Sequence, residues 1–359
     1  MNFSLLLNIS SIVLGAVVGS FLNCLIYRLP RNISLTHPKR SFCPLCQRSL
    51  PWWENLPVLS WLFLRGRCAG CHAPISWRYP LIEIVTATFF WLCYVRLDFP
   101  MAFAAWIFVT LLVVATFIDL EHLMIPDEIT LGGVVLGLGA SLFLPELMGT
   151  SSRGMALLIS FTSAAVGYFL LWGILELGKI AFGRKHLHWD QPHFFELLKK
   201  EGELLIHFEE EFIPLTEILN RSSDRIIATA AWLELAGEEC SPQTFEISLQ
   251  GIILTKRLYN LEEALPLRAE ITKVTLPREA MGFGDVKFLA CIGAFLGAPG
   301  MIFSLFAGSI IGAIAGCLML LITRGRLGRC IPFGPYLALG ALIWLLFKEA
   351  GGWRIPMLH

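Results

Sequence analysis

Charged residues are scarce in this chain of 359 residues. They make up 16% of the sequence, whereas a soluble domain usually carries about 25%. The formal net charge is zero, which excludes a general basic attraction to nucleic acid. The motifs HExxH and GxGxxG and the phosphate-binding P-loop are missing as well. Apolar residues fill the chain instead: 55% of the sequence is hydrophobic and the mean hydropathy is +0.66. This composition indicates a membrane protein.

Eight apolar segments are candidates for membrane-spanning helices, each of which needs about 20 apolar residues. By their approximate bounds they are residues 3–26, 81–97, 102–118, 129–147, 155–182, 286–296, 301–322 and 333–347. The first has no basic n-region and no small-residue cleavage site, so we do not expect a cleaved signal peptide. The sequence therefore predicts an all-α polytopic membrane protein with about eight transmembrane helices.

Basic residues concentrate in alternate loops, and short loops rich in Lys and Arg stay in the cytoplasm. Those between the first two spans are Arg28, Arg31, Lys39, Arg40, Arg48, Arg65, Arg67 and Arg78. Those between the last two spans are Arg324, Arg326 and Arg329. The alternate loops hold only Arg96 and Arg153. We predict that both termini face outward and that the basic loops and residues 119–127 face the cytoplasm.

Five segments follow from this arrangement. Residues 1–27 are the first transmembrane helix, 28–80 a cytoplasmic loop, 81–182 helices two to five, 183–276 a cytoplasmic insert, and 277–359 helices six to eight. Each segment is bounded by the change from apolar to polar composition.

The ten cysteines do not form a disulfide framework. Six are scattered, mostly in apolar runs, where they fit as small buried side chains. The other four form two CxxC pairs separated by 21 residues, namely Cys43, Cys46, Cys68 and Cys71. Two such pairs in one cytoplasmic loop predict a closed, structural zinc site, since disulfides are unfavoured there. A redox pair or plain surface cysteines are the alternatives.

Large apolar side chains lie between the two CxxC pairs, namely Trp52, Trp53, Leu56 and Trp61. Tryptophan is favoured at the boundary between membrane and water. We expect these side chains to pack the loop onto the membrane surface, so that membrane lipid is one of its partners.

Two aspartates lie at the predicted cytoplasmic ends of apolar segments. Asp119 ends the third span, and Asp285 precedes the sixth in the sequence Gly-Phe-Gly-Asp. A carboxylate in or beside a bilayer is costly and points to function. The plainer interpretations are helix caps, or an ion pair of Asp119 with His122. For Asp127, which follows Pro126, we favour a helix N-cap.

Two carboxylates brought together cannot both ionise easily, so they share a proton and titrate as a pair. The charged member can activate water while the protonated member donates to a carbonyl oxygen. Asp119 and Asp285 are predicted at the same depth on the same side. They are therefore our candidate catalytic pair for an aspartyl peptidase, and no Ser/His/Asp combination competes with them.

Several motifs follow one another in a recognisable order. They are residues 15–24 with Arg28-Leu-Pro, the CxxC pairs, residues 78–83, Asp119 with Ile125-Pro-Asp127, residues 282–287 and residues 332–336. Together they resemble the prepilin peptidases, or type IV leader peptidases, which are intramembrane aspartyl proteases with a Gly-x-Gly-Asp motif. The resemblance covers roughly residues 10–182 and 277–347.

The resemblance implies a bifunctional enzyme of the bacterial inner membrane that acts on the cytoplasmic side. Such enzymes cut the leader from type IV prepilins and pseudopilins, and then methylate the new N-terminal residue with S-adenosylmethionine. The family's catalytic aspartates carry over to Asp119 and Asp285. The methylation activity is associated with the N-terminal part, and we assign it to Gly19, Asn23, Arg28 and Glu83. For Glu83 the alternative is an ion pair with Arg78.

Other functions stay open. One is a peptidase of the same Gly-x-Gly-Asp type without methyl transfer, against which the CxxC pairs and the N-terminal motif argue. Another is a transporter or a receptor whose zinc module binds a partner, because intramembrane acids also serve ion pathways. Replacing each aspartate by a neutral residue distinguishes these functions. A peptidase would lose its catalytic activity, whereas a transporter would change its ion-coupled flux.

The insert departs from the family, whose members usually have a short connection there. It is acid-rich, with a cluster of Glu201, Glu203, Glu209, Glu210 and Glu211. Residues 196–198 favour a helix, whereas residues 244–249 and 268–274 alternate as strands do, so we predict a small α+β insert.

The insert also has a polar cluster of His186, His188, Asp190 and His193. A metal site is one interpretation, but we favour a solvated or membrane-surface cluster. We hypothesise that the insert docks a partner from the pilus- or secretion-assembly machinery, with an inert appendage as the alternative. Normal pilus assembly after its deletion would exclude the docking role.

Overall fold

The structure is a computed structural model that describes residues 3–37, 40–182, 184–200, 203–208, 211–219, 225–241, 243–254, 257–261, 264–277, 282–322 and 332–347. Some residues named above lie outside this description, namely Lys39, Glu201, Glu209, Glu210, Arg324, Arg326, Arg329 and the side chains of His186, Glu203 and Glu211. The chain forms two compact units, one of Met1–Gly173 with Met281–His359 and one of Ile174–Ala280.

The described helices are α1 (Phe3–Arg28), α2 (Leu59–Phe63), α3 (Arg78–Arg96), α4 (Phe99–His122), α5 (Asp127–Phe143), α6 (Arg153–Phe182), α7 (Leu215–Ile218), α8 (Phe283–Ile322) and α9 (Gly334–Phe347). All the apolar segments predicted as spans are helical. The sixth and seventh predicted spans form one helix, α8, which is broken at Gly297. The backbone there has φ 69° and ψ 177°, a conformation essentially restricted to glycine.

Within the described residues, four helices are long and apolar enough to cross a membrane: α1, α4, α6 and α8. Our count of eight spans is therefore too high. Helices α5 and α9 have 17 and 14 residues. Helix α3 carries Arg78, Glu83 and Arg96, which lower its hydropathy. An apolar segment can thus form a helix without meeting the length or the apolarity that crossing requires.

Helix α4 is the centre of the helical unit. It packs against α1, α3, α5 and α9. Most of its side chains are buried, among them Phe108, whose ring stacks on Phe295 of α8 with centroids 4.7 Å apart. This central place explains why Asp119, in the last turn of α4, is buried.

The second unit is a nine-stranded antiparallel sheet. Its strands are β1 (Arg184–Lys200), β2 (Glu203–Phe208), β3 (Glu211–Pro214), β4 (Ile226–Leu235), β5 (Glu238–Cys240), β6 (Thr244–Ser248), β7 (Gly251–Leu254), β8 (Arg257–Tyr259) and β9 (Leu267–Pro277). The order is β3-β2-β1-β9-β4-β6-β7-β8, and β5 pairs with β4 beside this path. Strand β9 therefore returns to the middle of the sheet.

The expected α+β insert is in fact almost entirely β-structure, with α7 as a single helical turn in the part described. The helix expected at residues 196–198 was wrong, because this segment belongs to β1. Phe195 and Leu197 are buried there, whereas Phe194 and Glu196 point away, which is the period of a strand. The strands predicted at residues 244–249 and 268–274 are confirmed as β6 and β9.

Helices α5 and α8 approach closely at Gly137. A Cβ atom at this position would lie 2.7 Å from the Cβ of Ala294 and 3.0 Å from Cδ2 of Phe295. A Cβ atom at Gly139, in the same helix, would meet nothing within 4 Å in the described structure. Small residues allow such close helix packing in membranes.

We expect Gly137→Ala to push α5 away from α8 and lower the melting temperature, since overpacking costs about 1–3 kcal/mol. Gly139→Ala is the matched control and should leave the melting temperature unchanged or raise it, because alanine favours a helix by about 1 kcal/mol over glycine. Thermal unfolding of both proteins in one detergent measures the difference. Equal melting temperatures would contradict the close contact.

Candidate functional site

Asp119 lies in the last turn of α4 and is 4% exposed. The helix ends because Leu123 adopts a left-handed conformation, with φ 53°, and donates its N–H to the Asp119 carbonyl at 3.0 Å. The carboxylate bonds to Gly334 at the start of α9 rather than to His122: the Gly334 N–H donates to Oδ2 at 2.9 Å. A helix N-terminus thus holds this anion.

Asp285 lies in the first turn of α8 and is 6% exposed. Its Oδ1 atom is buried and has no hydrogen-bond partner among the described residues. The charge of Asp119 acts on Asp285. The structure therefore brings together the two aspartates that the sequence placed far apart.

Ile125 packs against both elements that surround the aspartates. A Cβ atom at Gly284, next to Asp285, would lie 3.2 Å from the Ile125 Cβ. One at Gly334 would lie 3.0 Å from the Ile125 Cδ1. The loop after α4 therefore fixes the distance between the start of α8 and the start of α9.

Asp127 is the first residue of α5, and Pro126 occupies the N-cap position, so the predicted N-cap role was wrong. The Asp127 Oδ1 instead accepts a hydrogen bond from Lys287 Nζ at 2.6 Å. Lys287 lies two residues after Asp285. This ion pair joins the start of α5 to the start of α8 beside the site.

Four cysteines form a cluster that could hold a metal ion, namely Cys43, Cys46, Cys68 and Cys71. Their sulfur atoms all lie within 4.8 Å of one another, and those of Cys43 and Cys71 are 3.8 Å apart. A tetrahedral ion with metal–sulfur bonds of about 2.3 Å places its sulfurs about 3.8 Å apart. The sulfur positions thus suit a tetrahedral ion.

Each CxxC pair lies in the same kind of backbone turn. The residue four places after the first cysteine, Gln47 or His72, has φ 57°. Its N–H donates to the carbonyl of Cys43 or Cys68 at 2.9 Å. The two turns present their cysteines to each other as matching halves of one site.

Backbone N–H groups of Cys71 and Gly70 lower the pKa of the Cys68 thiol to about 6. The Ala73 N–H lowers the pKa of Cys71, but burial and the three neighbouring sulfurs outweigh it and raise that pKa to about 11. Negative charge therefore accumulates in this cluster only with difficulty. A bound cation would resolve the conflict by stabilising all the thiolates.

A cavity of about 530 Å³ lies between α1, α3 and the cysteine loop. It is lined by polar side chains that include Asn23, Glu83 and Glu121, and by aromatic rings that include Tyr27 and Trp61. Ligand sites are typically about 300–1,000 Å³ and combine aromatic walls with a few polar groups. The cavity has the size and lining of a small-molecule site.

Asn23 contributes an unused acceptor to this cavity. The side chain is 4% exposed and its Nδ2 donates to the Tyr79 carbonyl at 3.1 Å. Its Oδ1 is buried and finds no donor in the part of the chain that the structure describes. A buried acceptor without a partner costs about 1–3 kcal/mol, so a ligand N–H or O–H would be stabilised here.

Glu83 lies deep between α1 and α3 and is 8% exposed. Its Oε2 accepts the Val58 N–H at 2.7 Å. Val58 has φ 61° and ψ −47°, and the Leu59 N–H bonds to the Pro57 carbonyl at 2.6 Å, so the backbone forms a strained γ-turn. This turn, unfavourable for a β-branched residue, fixes the cysteine loop to α3 through Glu83.

Arg78 forms its ion pair with Glu121, in the last turn of α4, and not with Glu83. The alternative role that we considered for Glu83 is therefore not formed. The pair connects the start of α3 to the end of α4 at the edge of the cavity.

Gly19 and Arg28 hold the walls of the cavity in place. A Cβ atom at Gly19 would lie 2.7 Å from the Glu83 Cα, so glycine allows α1 to approach α3 beside the carboxylate. Arg28 is 3% exposed and donates to three backbone carbonyls within residues 34–40, at 3.0–3.2 Å. Both residues position the loop instead of presenting free polar atoms to the cavity.

The tryptophans of the loop separate into two groups. Trp52 and Trp53 are 73% and 57% exposed, and Leu56 is 38% exposed. Trp61 is half-buried, and its indole N–H donates to the Ile75 carbonyl at 3.1 Å. Trp61 thus stabilises the loop internally, while the other three side chains remain available to the membrane surface.

Two histidines of the insert, His188 and His193, have separate partners. The His188 Nδ1 lies 3.0 Å from the Thr272 carbonyl, and the His193 ring packs edge-on against Trp189. Among the residues that the structure describes, the cysteine cluster is the group suited to hold a metal.

Comparison with known proteins agrees with this geometry. Residues 13–97 match the family described as Bacterial Peptidase A24 N-terminal domain, and residues 106–184 and 222–317 match the Type IV leader peptidase family. A prepilin leader peptidase/N-methyltransferase of Pectobacterium carotovorum subsp. carotovorum is 34% identical over 220 residues, which is 54% of this chain and 73% of that protein. This chain belongs to the type IV leader peptidase family.

Two other relatives carry the same name. The protein of Aeromonas hydrophila is 28% identical over 366 residues, 93% of this chain and 88% of that protein. The protein of Myxococcus xanthus is 40% identical over 182 residues, and the match spans 49% of this chain and 52% of that relative. No solved structure matches the chain.

Sequence reasoning missed three residues that the structure places at the candidate sites. Gly334 and Ile125 lie inside motifs that the sequence analysis quoted, but nothing in a motif shows that they contact the aspartates. Glu121 could have been noticed in the sequence, because it is an acid at the C-terminal end of a predicted helix, where the helix dipole disfavours negative charge.

We expect Cys68→Ser to release the metal from the cysteine cluster, because three thiolates no longer close the site. Metal content by mass spectrometry of the purified protein should fall close to zero per chain. Cys240→Ser, in the insert, is the matched control and should keep the metal. Unchanged metal content in Cys68→Ser would contradict the assignment of the cysteine cluster as a metal site.

Gly334→Ala is expected to displace the Asp119 carboxylate, since the new Cβ atom would lie 2.7 Å from Oδ2. A shift of about 1 Å at a reacting group can cost about 100-fold in rate. Peptide cleavage by this family member should fall by that order. Gly132→Ala, where a Cβ atom would meet no described atom within 4 Å, is the control. Equal rates for both variants would show that the contact is unimportant.

Proposed function

We propose that this chain is a bifunctional prepilin leader peptidase and N-methyltransferase of the bacterial inner membrane, with its active side toward the cytoplasm. The observation that carries the peptidase function is the meeting of Asp119 and Asp285 in one buried site. Family membership and the names of the relatives support both activities. Prepilins and pseudopilins, including those of type II secretion, are the substrates that follow.

In the peptidase reaction, Asp119 and Asp285 share one proton. The charged carboxylate takes a proton from water, whose oxygen attacks the scissile carbonyl carbon, while the protonated carboxyl donates to the carbonyl oxygen. The C–N bond then breaks and the amine nitrogen takes up a proton. The Gly334 N–H orients Asp119 throughout. The products are a leader that ends in a carboxylate and a pilin with a new N-terminal amine.

Zinc is the metal that best suits the cysteine cluster. Four thiolates in a tetrahedron match its preference and leave no open position for water, so the ion would be structural. Cys43 and Cys68 also line the cavity. Binding of zinc would therefore order one wall of that cavity.

We assign methyl transfer to the cavity between α1, α3 and the cysteine loop. When bound, S-adenosylmethionine supplies a methyl group from a sulfonium centre to an amine, and the electron pair of the broken C–S bond stays on sulfur. The unused Asn23 Oδ1 suits a ligand N–H group, and the buried Glu83 carboxylate favours a cationic ligand. Gly19 and Arg28 hold the surrounding backbone. The insert stays a candidate docking element for an assembly partner.

One experiment tests both activities. The detergent-purified protein is incubated with a prepilin and S-adenosylmethionine, and the intact mass of the prepilin is recorded. We expect loss of the leader and the addition of one methyl group, both absent with Asp119→Asn because the dyad is broken. We also expect that the Glu83→Gln variant still cleaves the prepilin but adds no methyl group, since Glu83 lies in the cavity.

The matched control is Glu146→Gln, an acid that lies outside this cavity and the aspartate site. Leader loss without a methyl group would remove the transferase assignment. Full activity in Asp119→Asn would overturn the peptidase assignment and favour a transporter or receptor.

A further inference from the structure

The ion pair between Glu121 and Arg78 lies where the aspartate site and the cavity meet. Glu121 follows Asp119 by two residues on α4, and successive helical residues are rotated by about 100°, so these side chains leave the helix on nearly opposite sides. Asp119 bonds to the start of α9, whereas Glu121 lines the cavity. Only the thickness of one helix, about 10 Å, separates the two sites.

Glu121 occupies the unfavourable end of its helix. The C-terminus of a helix carries partial negative charge, which favours cations and disfavours acids. In this structure Arg78 supplies the compensating cation. The two side chains are 32% and 18% exposed, and such partly exposed pairs contribute little to stability. Another cation that reaches the cavity can therefore replace Arg78 at small cost.

A second acceptor lies on the same side of the cavity. The Asn23 Nδ2 bonds to the carbonyl of Tyr79, the residue next to Arg78, while its buried Oδ1 stays without a donor among the described residues. A primary ammonium group has three N–H donors. Glu121 therefore supplies a charged acceptor for such a group, and Asn23 is a second polar residue in the lining of the same cavity.

The other two acids that line the cavity, Glu54 and Glu83, already have partners. Glu54 forms an ion pair with Arg48, and Glu83 accepts the Val58 N–H. Of the three acids, Glu121 is the one that lies on the same helix as Asp119, two residues beyond it.

We propose that Glu121 binds the new N-terminal ammonium group of the cleaved pilin, in exchange for Arg78, and so selects the free amine for methylation. The inference rests on the proposed function. A terminus formed at Asp119 and Asp285 needs only to pass around the end of α4 to reach Glu121. Uncleaved prepilin has a neutral amide at that position, which forms no ion pair. Glu121 therefore makes methylation follow cleavage.

The test compares two peptides with the sequence of the mature pilin N-terminus, one with its amino group and one with hydrogen in its place. Binding of each to the purified full-length protein is measured by calorimetry. The wild-type protein should prefer the amino peptide. In Glu121→Gln, the preference for the amino peptide should fall at least tenfold, which corresponds to 1.4 kcal/mol of binding free energy. The affinity for the other peptide should change little. Glu121→Asp should recover part of it.

The matched control is Glu128→Gln, an exposed acid in the first turn of α5. It should keep the full preference for the amino peptide. Equal weakening of both peptides by Glu121→Gln, or an unchanged preference, would overturn the proposal.

A second variant separates binding from a merely structural role. If the ion pair only braces α3 against α4, Arg78→Gln should weaken the amino peptide as much as Glu121→Gln does. If Glu121 binds the ammonium, Arg78→Gln should bind the amino peptide at least as well as the wild-type protein, because a competing cation is gone. Melting temperature and metal content report on the fold of each variant.

Kinetics distinguish failure of this inference from failure of the proposed function. With cleaved, unmethylated pilin as substrate, Glu121→Gln should raise the KM for pilin at least tenfold and leave the KM for S-adenosylmethionine unchanged. If the wild-type protein transfers no methyl group to this substrate, the proposed transferase function is wrong. The peptide preference would still decide whether Glu121 recognises an ammonium group.

Discussion

The hydrogen bond from the Gly334 N–H to the Asp119 carboxylate is the contact on which the aspartate site depends. It joins the end of α4, the central helix, to the start of α9 and leaves no room for a side chain at Gly334. Ile125 then sets the distance from this pair of elements to Gly284, and so to Asp285. A buried carboxylate is thereby held by backbone, whose position is less variable than that of a side chain.

Four acids near the ends of these helices each have a partner. The carboxylate of Asp119 accepts a backbone N–H, and that of Glu83 accepts the N–H of Val58 in the strained turn. Asp127 and Glu121 each form an ion pair with a basic side chain. Each partner comes from another element, so the acids also join the helices together. The buried polar atoms without a described partner then stand out. Two of them belong to Asp285 and Asn23, which are residues of the two sites proposed for chemistry.

The sequence predicted which polar residues come together better than it predicted the fold, for a physical reason. Paired carboxylates and paired CxxC turns are recognisable from residue type and spacing, without any knowledge of packing. Span counting failed because apolar segments such as α5 and α9 form helices that are too short to meet the criterion for crossing. Residues 196–198 of β1 were predicted as a helix because Glu196, Leu197 and Leu198 also suit helices, whereas pairing with β9 and β2 decides their structure. Contacts such as that of Arg78 with Glu121 join distant segments and cannot be recognised from the sequence of either segment.

The charge distribution at the end of α4 also bears on the fate of the two products. Cleavage converts one neutral amide into a carboxylate on the leader and an ammonium on the pilin. The negative end of the α4 dipole, the shared charge of the aspartates and Glu121 all repel the carboxylate and attract the ammonium. In the proposed reaction sequence, the leader is therefore repelled and the pilin terminus is attracted at this helix end, so the end of α4 would serve two successive reactions.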